Sequence, residues 1–310
     1  SSTAITSAVY ADKVNTYAQQ YTYGPPSPLL LNDTWQRVGA TITPPSDSYG
    51  LGNSEFGYSV AASGDGTRIA IGAPGRPGTY PYSGQGQYGG SVYIYDWNSG
   101  TSAWVLDTRI VSPNTSGYNK GGNGTNGRFG HSVSMSSDGN RVVVGVPHYG
   151  SVGVTTGRVH VYERGTNNWT EINGGVESYG NGDLASSVLQ FSSNQPTAKF
   201  GHSVSMSSDG NRIAVGAPGF TWYESGNLAN QNPEHGCALV YDWNGSTGVG
   251  KWHRGNSSFA EASIAHHTTV THVAGGPSYG TNSGWSVSIS GDGSRMIVGA
   301  PRYHAPNEQT

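Results

Sequence analysis

Apolar and polar residues alternate in four similar stretches of the chain. Each stretch has a glycine near its start, at Gly57, Gly130, Gly201 and Gly284, with spacings of 73, 71 and 83 residues. In the second stretch His131, Val133 and Met135 alternate with serines, and this period of two predicts a β-strand with one apolar and one small polar face. Asp138-Gly139 then favours a tight hairpin turn, and the apolar run after it predicts a second strand, covered on both sides. A block that restarts at so long a period predicts a repeat architecture.

Two further strands are predicted in each of the first three repeats. Alternating blocks that indicate a third strand stand at Gly90–Tyr95, Gly157–Tyr162 and Gly236–Tyr241. A segment with a tryptophan closes each unit, at Trp104, Trp169 and Trp252. Four short antiparallel strands in about 70 to 80 residues are typical of one blade of a β-propeller. A parallel β-helix is the alternative, but its repeats are much shorter, which makes it the weaker prediction.

Phe-Gly pairs at the start of the repeats and Gly-Ala-Pro at the end of the second strand form a recurrent motif. The tripeptide stands at Gly72–Pro74, Gly216–Pro218 and Gly299–Pro301, with Gly145–Pro147 as a Gly-Val-Pro variant. This combination resembles the FG-GAP repeat over residues from about 30 to 301. The resemblance implies an all-β fold of four-stranded antiparallel blades, as in the propellers of integrin α-chains and of many secreted microbial and algal repeat proteins.

The hairpins depart from the integrin pattern. Integrin-type repeats carry an Asp-x-Asp-x-Asp-Gly calcium loop between the first two strands, whereas the hairpins here hold a single acidic residue each: Asp65, Asp138, Asp209 and Asp292. Calcium takes six to eight oxygen ligands, several of them from converging carboxylates. We therefore interpret these aspartates as turn residues and expect no metal site and no cofactor.

The repeats predict one propeller-like domain, or an open propeller-like array, over residues 1–310. Complete blades are predicted at 55–111, 128–191 and 199–264, with the first half of a shared blade at 284–301 and its N-terminal strands within 1–43. Three arrangements stay open: closure of the two half-blades within the chain, a fragment of a larger propeller, and strand exchange between chains. Exchange between chains would be head-to-tail, and it gives a ring or a filament according to whether the rotation closes.

The apolar positions of the predicted strands also give a list of core residues. These are Val60, Ile69, Ile71, Val133, Val142, Val144, Val204, Ile213, Val215, Val287, Ile297 and Val298. Trp35, Trp104 and Trp169 are predicted to seal the edges of the blades.

Composition and charge exclude several classes of function. Charged residues make up 11% of the chain, the formal net charge is -3, and Lys and Arg are scattered, so we expect no nucleic-acid partner. No apolar run approaches 18 residues, so we expect no membrane span. Cys237 is the one cysteine, which excludes an internal disulfide framework.

Six Asn-x-Ser/Thr sequons favour a secreted, glycosylated protein at the cell surface or outside the cell. They are Asn32, Asn114, Asn123, Asn168, Asn244 and Asn256. Most fall in predicted turns or loops between strands, where a glycan can be carried. The absence of a signal peptide at Ser1 is compatible with a mature or excised segment.

Candidate catalytic groups are weak in this sequence. His131 and His202 are in register and could face each other as metal ligands, but Tyr58 and Trp285 hold that position in the other two repeats, which favours ring packing. Most acidic residues recur in phase with the repeat, and such residues are normally structural. We expect no catalytic site.

Aromatic residues in the loops after the second strands are candidate ligand contacts. They are Tyr80, Tyr82, Tyr88, Trp222 and Tyr223. Exposed Tyr and Trp combine apolar area with polar edges and suit contacts with glycans or proteins. The same rings could equally cap the apolar spaces between blades, and the sequence does not separate the two.

Taken together, these patterns favour a non-catalytic extracellular glycoprotein module for adhesion or for assembly of a surface structure, which could be filamentous. Its expected partners are other protein chains, including further copies of itself head-to-tail, or glycans. The alternatives are a glycan-binding, lectin-like propeller and a propeller-borne glycoside hydrolase.

Overall fold

A computed structural model describes about half of the chain, in many separate segments. These are residues 37–45, 54–75, 89–113, 120–121, 125–149, 156–166, 168–172, 189–190, 197–220, 222–223, 231–232, 236–244, 251–254, 264–265 and 281–302. Within them every helix or strand is a β-strand. The fold of the described part is therefore all-β.

The strands are numbered β1 to β20 in chain order. They are β1 (Ser59–Ala62), β2 (Arg68–Ala73), β3 (Ser91–Asn98), β4 (Ala103–Val111), β5 (Lys120–Gly121), β6 (Thr125–Asn126), β7 (Ser132–Met135), β8 (Arg141–Val146), β9 (Arg158–Arg164), β10 (Trp169–Glu171), β11 (Leu189–Gln190), β12 (Ser203–Met206), β13 (Arg212–Ala217), β14 (Trp222–Tyr223), β15 (Gln231–Asn232), β16 (Cys237–Asn244), β17 (Lys251–Arg254), β18 (Ile264–Ala265), β19 (Ser286–Ile289) and β20 (Met296–Gly299).

Three sheets have the same antiparallel core of four strands. The first has the order β1-β2-β3-β4, the second β7-β8-β9-β10 and the third β12-β13-β16-β17. Short strands β11 and β18 add to β9 and β16. The fourth sheet comprises β19 and β20 in the described residues, and β5-β6 and β14-β15 form two small ribbons. The strands of each four-stranded core are paired in chain order, as in a meander.

The register of the first hairpin is the same in all four sheets. Val60 lies opposite Ile71, and Val133, Val204 and Val287 have the equivalent partners Val144, Val215 and Val298. Because side chains alternate between the faces of a strand, this common register places equivalent residues of every repeat on equivalent faces.

The hydrophobic core lies between successive sheets. One cluster joins Ala70, Val92 and Ile94 of the first sheet to residues of the second, including Val133 and Val142. Another joins residues of the second and third sheets, including Val143, Val161, Val204 and Ile213. Phe129 and Phe200, from the Phe-Gly pairs, are fully buried in these clusters. The first sheet therefore shares a core with the second, and the second with the third.

Seven of the predicted core residues are buried, and the prediction is wrong at two positions. Ile71, Val133, Val142, Val144, Val204, Ile213 and Val215 are buried. Val60 and Ile297, in contrast, are 69% and 75% exposed. The reason is that each equivalent residue in an inner sheet is covered by a neighbouring sheet, and no sheet in the described residues covers these two.

The remaining predicted core and edge-sealing residues are partly buried or lie outside the described part. Ile69, Val287 and Val298 are partly buried. Trp104 and Trp169 are partly buried and pack against the clusters of the first and second sheets. Trp35 lies outside the described residues.

The chain divides into two compact units, Ser1–Ala40 and Thr41–Thr310. In the first unit the described residues are 37–40, where the Arg37 Nε–H donates to the Gly39 carbonyl over 3.0 Å. Residues 41–45 of the second unit form no strand. Of the predicted N-terminal strands within 1–43, residues 1–36 lie outside the described part and residues 37–43 are not in a strand.

Candidate interaction surface

The contact between successive sheets is built from the same residues each time. Serines at one repeat position donate their hydroxyl to the glycine carbonyl of the next repeat over 2.8 to 2.9 Å: Ser59 to Gly130, Ser132 to Gly201 and Ser203 to Gly284. The hairpin turns are also joined, because the backbone N–H of Gly64 donates to the Ser137 carbonyl, and Ser137 and Ser208 repeat the bond to Ser208 and Gly291. We call this set of contacts the repeat junction.

Glycine is required where the sheets approach most closely. The accepting carbonyl of Gly130 lies against the α-carbon of Gly72, and a Cβ at position 72 would come closer to it than van der Waals contact allows. Gly145 and Gly216 face Gly201 and Gly284 in the same way. Since the obstacle is backbone, no side-chain rotation relieves it, and the Gly of Gly-Ala-Pro is explained by this close approach.

An arginine bridges each junction. The Arg68 guanidinium binds the Asp96 carboxylate of its own sheet over 2.6 and 2.8 Å and donates to the Gly139 carbonyl of the next repeat over 3.0 Å. The hydrogen bond to Asp96 raises the pKa of Arg68 above its ordinary value. Planar guanidinium groups suit such combined contacts because their five donors point in fixed directions.

The other two junctions repeat this bridge. Arg141 binds Glu163 over 2.9 Å and the Gly210 carbonyl over 3.2 Å. Arg212 binds Asp242 and donates to the Gly293 carbonyl over 2.8 Å. The fourth copy of this arginine, Arg295, is exposed.

The hairpin aspartates hold their own turns. Asp65 accepts hydrogen bonds from the Ser63 hydroxyl over 2.6 Å and from the Thr67 backbone N–H over 2.9 Å. These bonds lower the pKa of Asp65 to about 2, with the Ser63 hydroxyl contributing most. Asp138, Asp209 and Asp292 make the equivalent bonds. Among the described residues no group of three or more His, Cys, Asp and Glu side chains is placed to hold a metal ion.

Four aromatic rings form a row across the sheets. The ring centroids of Tyr58 and His131 are 4.9 Å apart, those of His131 and His202 4.9 Å, and those of His202 and Trp285 4.6 Å. The turn before each first strand sets these rings: in the second repeat the His131 backbone N–H donates to the Arg128 carbonyl over 3.0 Å, and Gly130 adopts φ 89, which favours glycine. We call these four residues the ring row.

Hydrogen bonds fix the tautomers within the ring row. His131 Nδ1–H donates to the His202 carbonyl over 3.1 Å, so its Nε2 is the acceptor for the Tyr58 hydroxyl at 3.2 Å. Burial, together with the neighbouring His202 and the positive charge of Arg128, lowers the pKa of His131 to about 3. The pKa values of His148 and His202 are also lowered, mainly by burial. These histidines are therefore neutral at pH 7.

The first and fourth sheets each leave one side of the junction open. On the first sheet the exposed residues are Gly57, Tyr58, Val60, Ala62 and Gly66, which we call the upstream face. On the fourth sheet they are Trp285, Ser286, Ser288, Arg295 and Ile297, which we call the downstream face. In the inner sheets the same positions are buried or half-buried because a neighbouring sheet covers them.

The predicted glycosylation and ligand-contact residues fall partly outside the described residues. Asn168 is exposed and directly precedes β10, and Asn244 is the last residue of β16. Trp222 and Tyr223 form β14, where their backbone pairs with Asn232 and Gln231. The other predicted residues, Asn32, Asn114, Asn123, Asn256, Tyr80, Tyr82 and Tyr88, lie outside the described part.

The sequence carried a signal for the bridging arginines that pattern reasoning missed. Each turn is followed by an arginine, and each third strand of the three complete sheets ends near an acidic residue, Asp96, Glu163 or Asp242. Opposite charges at matching places in a repeat indicate a repeated ion pair. The ring row, in contrast, agrees with the ring packing predicted from the common register of Tyr58, His131, His202 and Trp285.

Comparisons with known proteins give one family match. The family model of the FG-GAP repeat matches residues 40–95. No curated protein matches the sequence.

Among the described residues no helix has the length and hydropathy of a membrane span.

Two solved structures have low similarity to this chain. Saccharomyces cerevisiae Sqt1 is 10% identical, with a TM-score of 0.35 and coverage of 66% of this chain and 36% of that one. Kuenenia stuttgartiensis hydrazine synthase is 15% identical, with a TM-score of 0.37 and coverage of 77% and 54%. The chain thus spans about a third and about half of these two chains.

The match to the family model covers the first sheet from before β1 into β3. Its span contains the Phe56-Gly57 pair, the Asp65 turn and the Gly72-Ala73-Pro74 tripeptide, which are the residues that build the first half of the junction. Residues 40–95 therefore match the FG-GAP repeat, the family that the motif resembles.

Proposed function

We propose that this chain is a non-catalytic extracellular module, built of propeller-type blades, that joins protein chains into a larger assembly. The single observation that carries the proposal is the pair of open faces. Val60 on the upstream face and Ile297 on the downstream face are 69% and 75% exposed, although they are strand residues of a fold whose other sheets cover these positions. Tyr58 and Trp285 on the same two faces are 51% and 48% exposed, and exposed apolar patches with polar rims mark interaction sites.

The acidic residues support a non-catalytic role. A glycosidase needs two positioned carboxyl groups, one of them free to transfer a proton. Asp96, Glu163 and Asp242 are instead paired with the bridging arginines, and the hairpin aspartates accept hydrogen bonds from their own turns. These carboxylates are used to hold the sheets together.

Two observations support an extracellular location. FG-GAP repeats are typical of extracellular proteins, and the chain carries the sequons described above. Asn168 is exposed directly before the outer strand β10, and glycans are carried at such surface positions.

The experiment is a measurement of mass in solution by light scattering across a wide range of protein concentration. Mass that grows with concentration, or fibres in electron micrographs, is the expected result. A monomer at every concentration overturns the assembly function, and retention of that monomer on a glycan array would support the lectin-like alternative.

A further inference from the structure

Among the described residues the repeat junction occurs three times, and the first and fourth sheets each leave one half of it open. We propose that a second copy of this chain docks its upstream face on the downstream face of the first, through a fourth junction of the same kind. This inference rests on the proposed assembly function and names its partner. It follows from continuity with the three junctions that the structure contains.

The polar groups of the two faces are complementary. Within the chain Ser203 donates to the Gly284 carbonyl, and Arg212 to the Gly293 carbonyl. Their equivalents on the downstream face are the exposed Ser286 and Arg295, and the equivalent acceptors on the upstream face are the exposed Gly57 and Gly66. Docking in register would therefore pair Ser286 with Gly57 and Arg295 with Gly66 of the next copy.

The turns supply a second set of complementary groups. In the third junction the Ser208 N–H donates to the Gly291 carbonyl, and in the second the Ser137 N–H donates to Ser208. The corresponding donor of the fourth repeat is the Gly291 N–H, and the corresponding acceptor of the first is the Gly64 carbonyl. Both residues are exposed.

The apolar groups match as well. Val133 and Val204, the equivalents of Val60, are 8% and 9% exposed because the preceding sheet covers them. The equivalents of Ile297 are Ala70, Val143 and Ala214, each fully buried under the following sheet. A fourth junction would bury Val60 and Ile297 together, which is the environment that their repeat positions have elsewhere.

The aromatic and charged residues of the two faces are complementary as well. Tyr58 and Trp285 end the row and are 51% and 48% exposed, so docking places the ring of one copy beside the ring of the next. Arg68 gains a favourable interaction with the charge of Asp138 across the first junction. Arg295 and Asp65 hold the same positions and carry opposite charges, and both are exposed.

Each copy carries both faces, so every docking step leaves one of each at the ends of the product. Such head-to-tail contacts give a ring when the rotation between copies closes and a filament when it does not. A partner with a different surface would need to reproduce all of these matched contacts, whereas a second copy has them already.

A substitution at Gly299 tests the docking of a second copy without disturbing the fold of the single chain. Gly72, Gly145 and Gly216 each lie against a carbonyl of the next repeat, but a Cβ at Gly299 would meet only the flexible hydroxyl of Ser286. An alanine at 299 is therefore tolerated in the single chain and blocks the approach of the Gly57 carbonyl of a second copy. Gly299→Ala is expected to keep the melting temperature of the monomer and to reduce association at least tenfold. Gly100→Ala, in the turn between β3 and β4, is the matched control and should associate like the unaltered chain.

A pair of charge variants tests the two faces in one experiment. Ile297→Glu blocks the downstream face and Val60→Glu the upstream face, so each variant alone should be monomeric by light scattering. An equimolar mixture should form a dimer that grows no further, because one functional face of each kind remains. Val105→Glu, on the exposed outer strand β4, is the control and should assemble normally.

The outcomes distinguish the inference from the function on which it rests. If the unaltered chain assembles and Ile297→Glu and Gly299→Ala assemble equally well, the second-copy junction is wrong while the assembly function stands. If the unaltered chain is a monomer at every concentration, both are wrong. Dimers confined to the mixture of Ile297→Glu and Val60→Glu establish the head-to-tail contact.

Discussion

Replacement of Gly145 by alanine should destabilise the fold, although alanine is only one methyl group larger. The new Cβ meets the Gly201 carbonyl and the Ser132 hydroxyl, and the carbonyl belongs to the backbone of the next sheet. Relief requires the second and third sheets to move apart, which weakens the hydrogen bond from Ser132 to Gly201. The core between these sheets, which includes Phe200, would lose contacts at the same time.

The size of the effect follows from three terms. Overpacking in a close-packed interior costs about 1 to 3 kcal/mol. Loss of one hydrogen bond costs about 1 kcal/mol. The smaller conformational entropy of alanine in the unfolded chain returns about 0.4 to 1 kcal/mol. The expected net loss is about 1 to 3.5 kcal/mol, or a fall in Tm of roughly 2 to 14 °C for a large domain.

Thermal and urea unfolding followed by circular dichroism measure this loss, and Gly299→Ala is the matched control. Its Cβ displaces only the Ser286 hydroxyl, so its stability should stay within about 0.5 kcal/mol of the unaltered chain, which is typical of surface substitutions. If Gly145→Ala and Gly299→Ala unfold at the same urea concentration, the close approach of the sheets is not what requires glycine.

Three further predictions concern the bridging arginines, the ring row and glycosylation. Arg141→Met removes the ion pair with Glu163 and the hydrogen bond across the second junction. It should lower the free energy of unfolding in urea by about 1 to 2 kcal/mol, whereas Arg295→Met should leave the free energy of unfolding of the monomer unchanged. His131 has a folded pKa of about 3 against an ordinary value of 6.5, so the unfolded chain binds the proton first and stability falls as the pH drops from 6.5 towards 3. His131→Phe keeps a ring but cannot titrate, so its Tm should fall less than that of the unaltered chain between pH 6.5 and 4.5. An equal fall in Tm would contradict the role of this ring. Asn168→Gln, made in a secreting eukaryotic host, should lower the mass of the intact protein by one glycan, and an unchanged glycan mass would show that this sequon is unused.

The strands and their register could be predicted from the sequence because they depend on local signals. Alternation around Val133 and the Asp138-Gly139 turn define the first hairpin, and the structure has both. The FG-GAP resemblance is confirmed over residues 40–95. Repetition made these signals stronger, since each appears several times in phase.

The contacts between sheets could not be read in the same way. Reasoning from the repeat gave Val60 and Ile297 the environment of the inner copies, but burial depends on a neighbouring sheet and not on the strand itself. The close approach of Gly145 to Gly201 and the bridge from Arg141 to Gly210 likewise depend on how far one repeat is displaced from the next. The spacing of the repeats along the chain predicts their order but not how far one sheet is displaced from the next.

The repeat junction has a consequence for how such chains change length in evolution. Every inner repeat carries the donor half on one side and the acceptor half on the other, as Ser132 and Gly130 do in the second repeat. A duplication or deletion of one whole repeat therefore joins compatible surfaces and leaves the two ends chemically as they were. Arrays of different length can arise by recombination between repeats, with no compensating mutations at the new boundary.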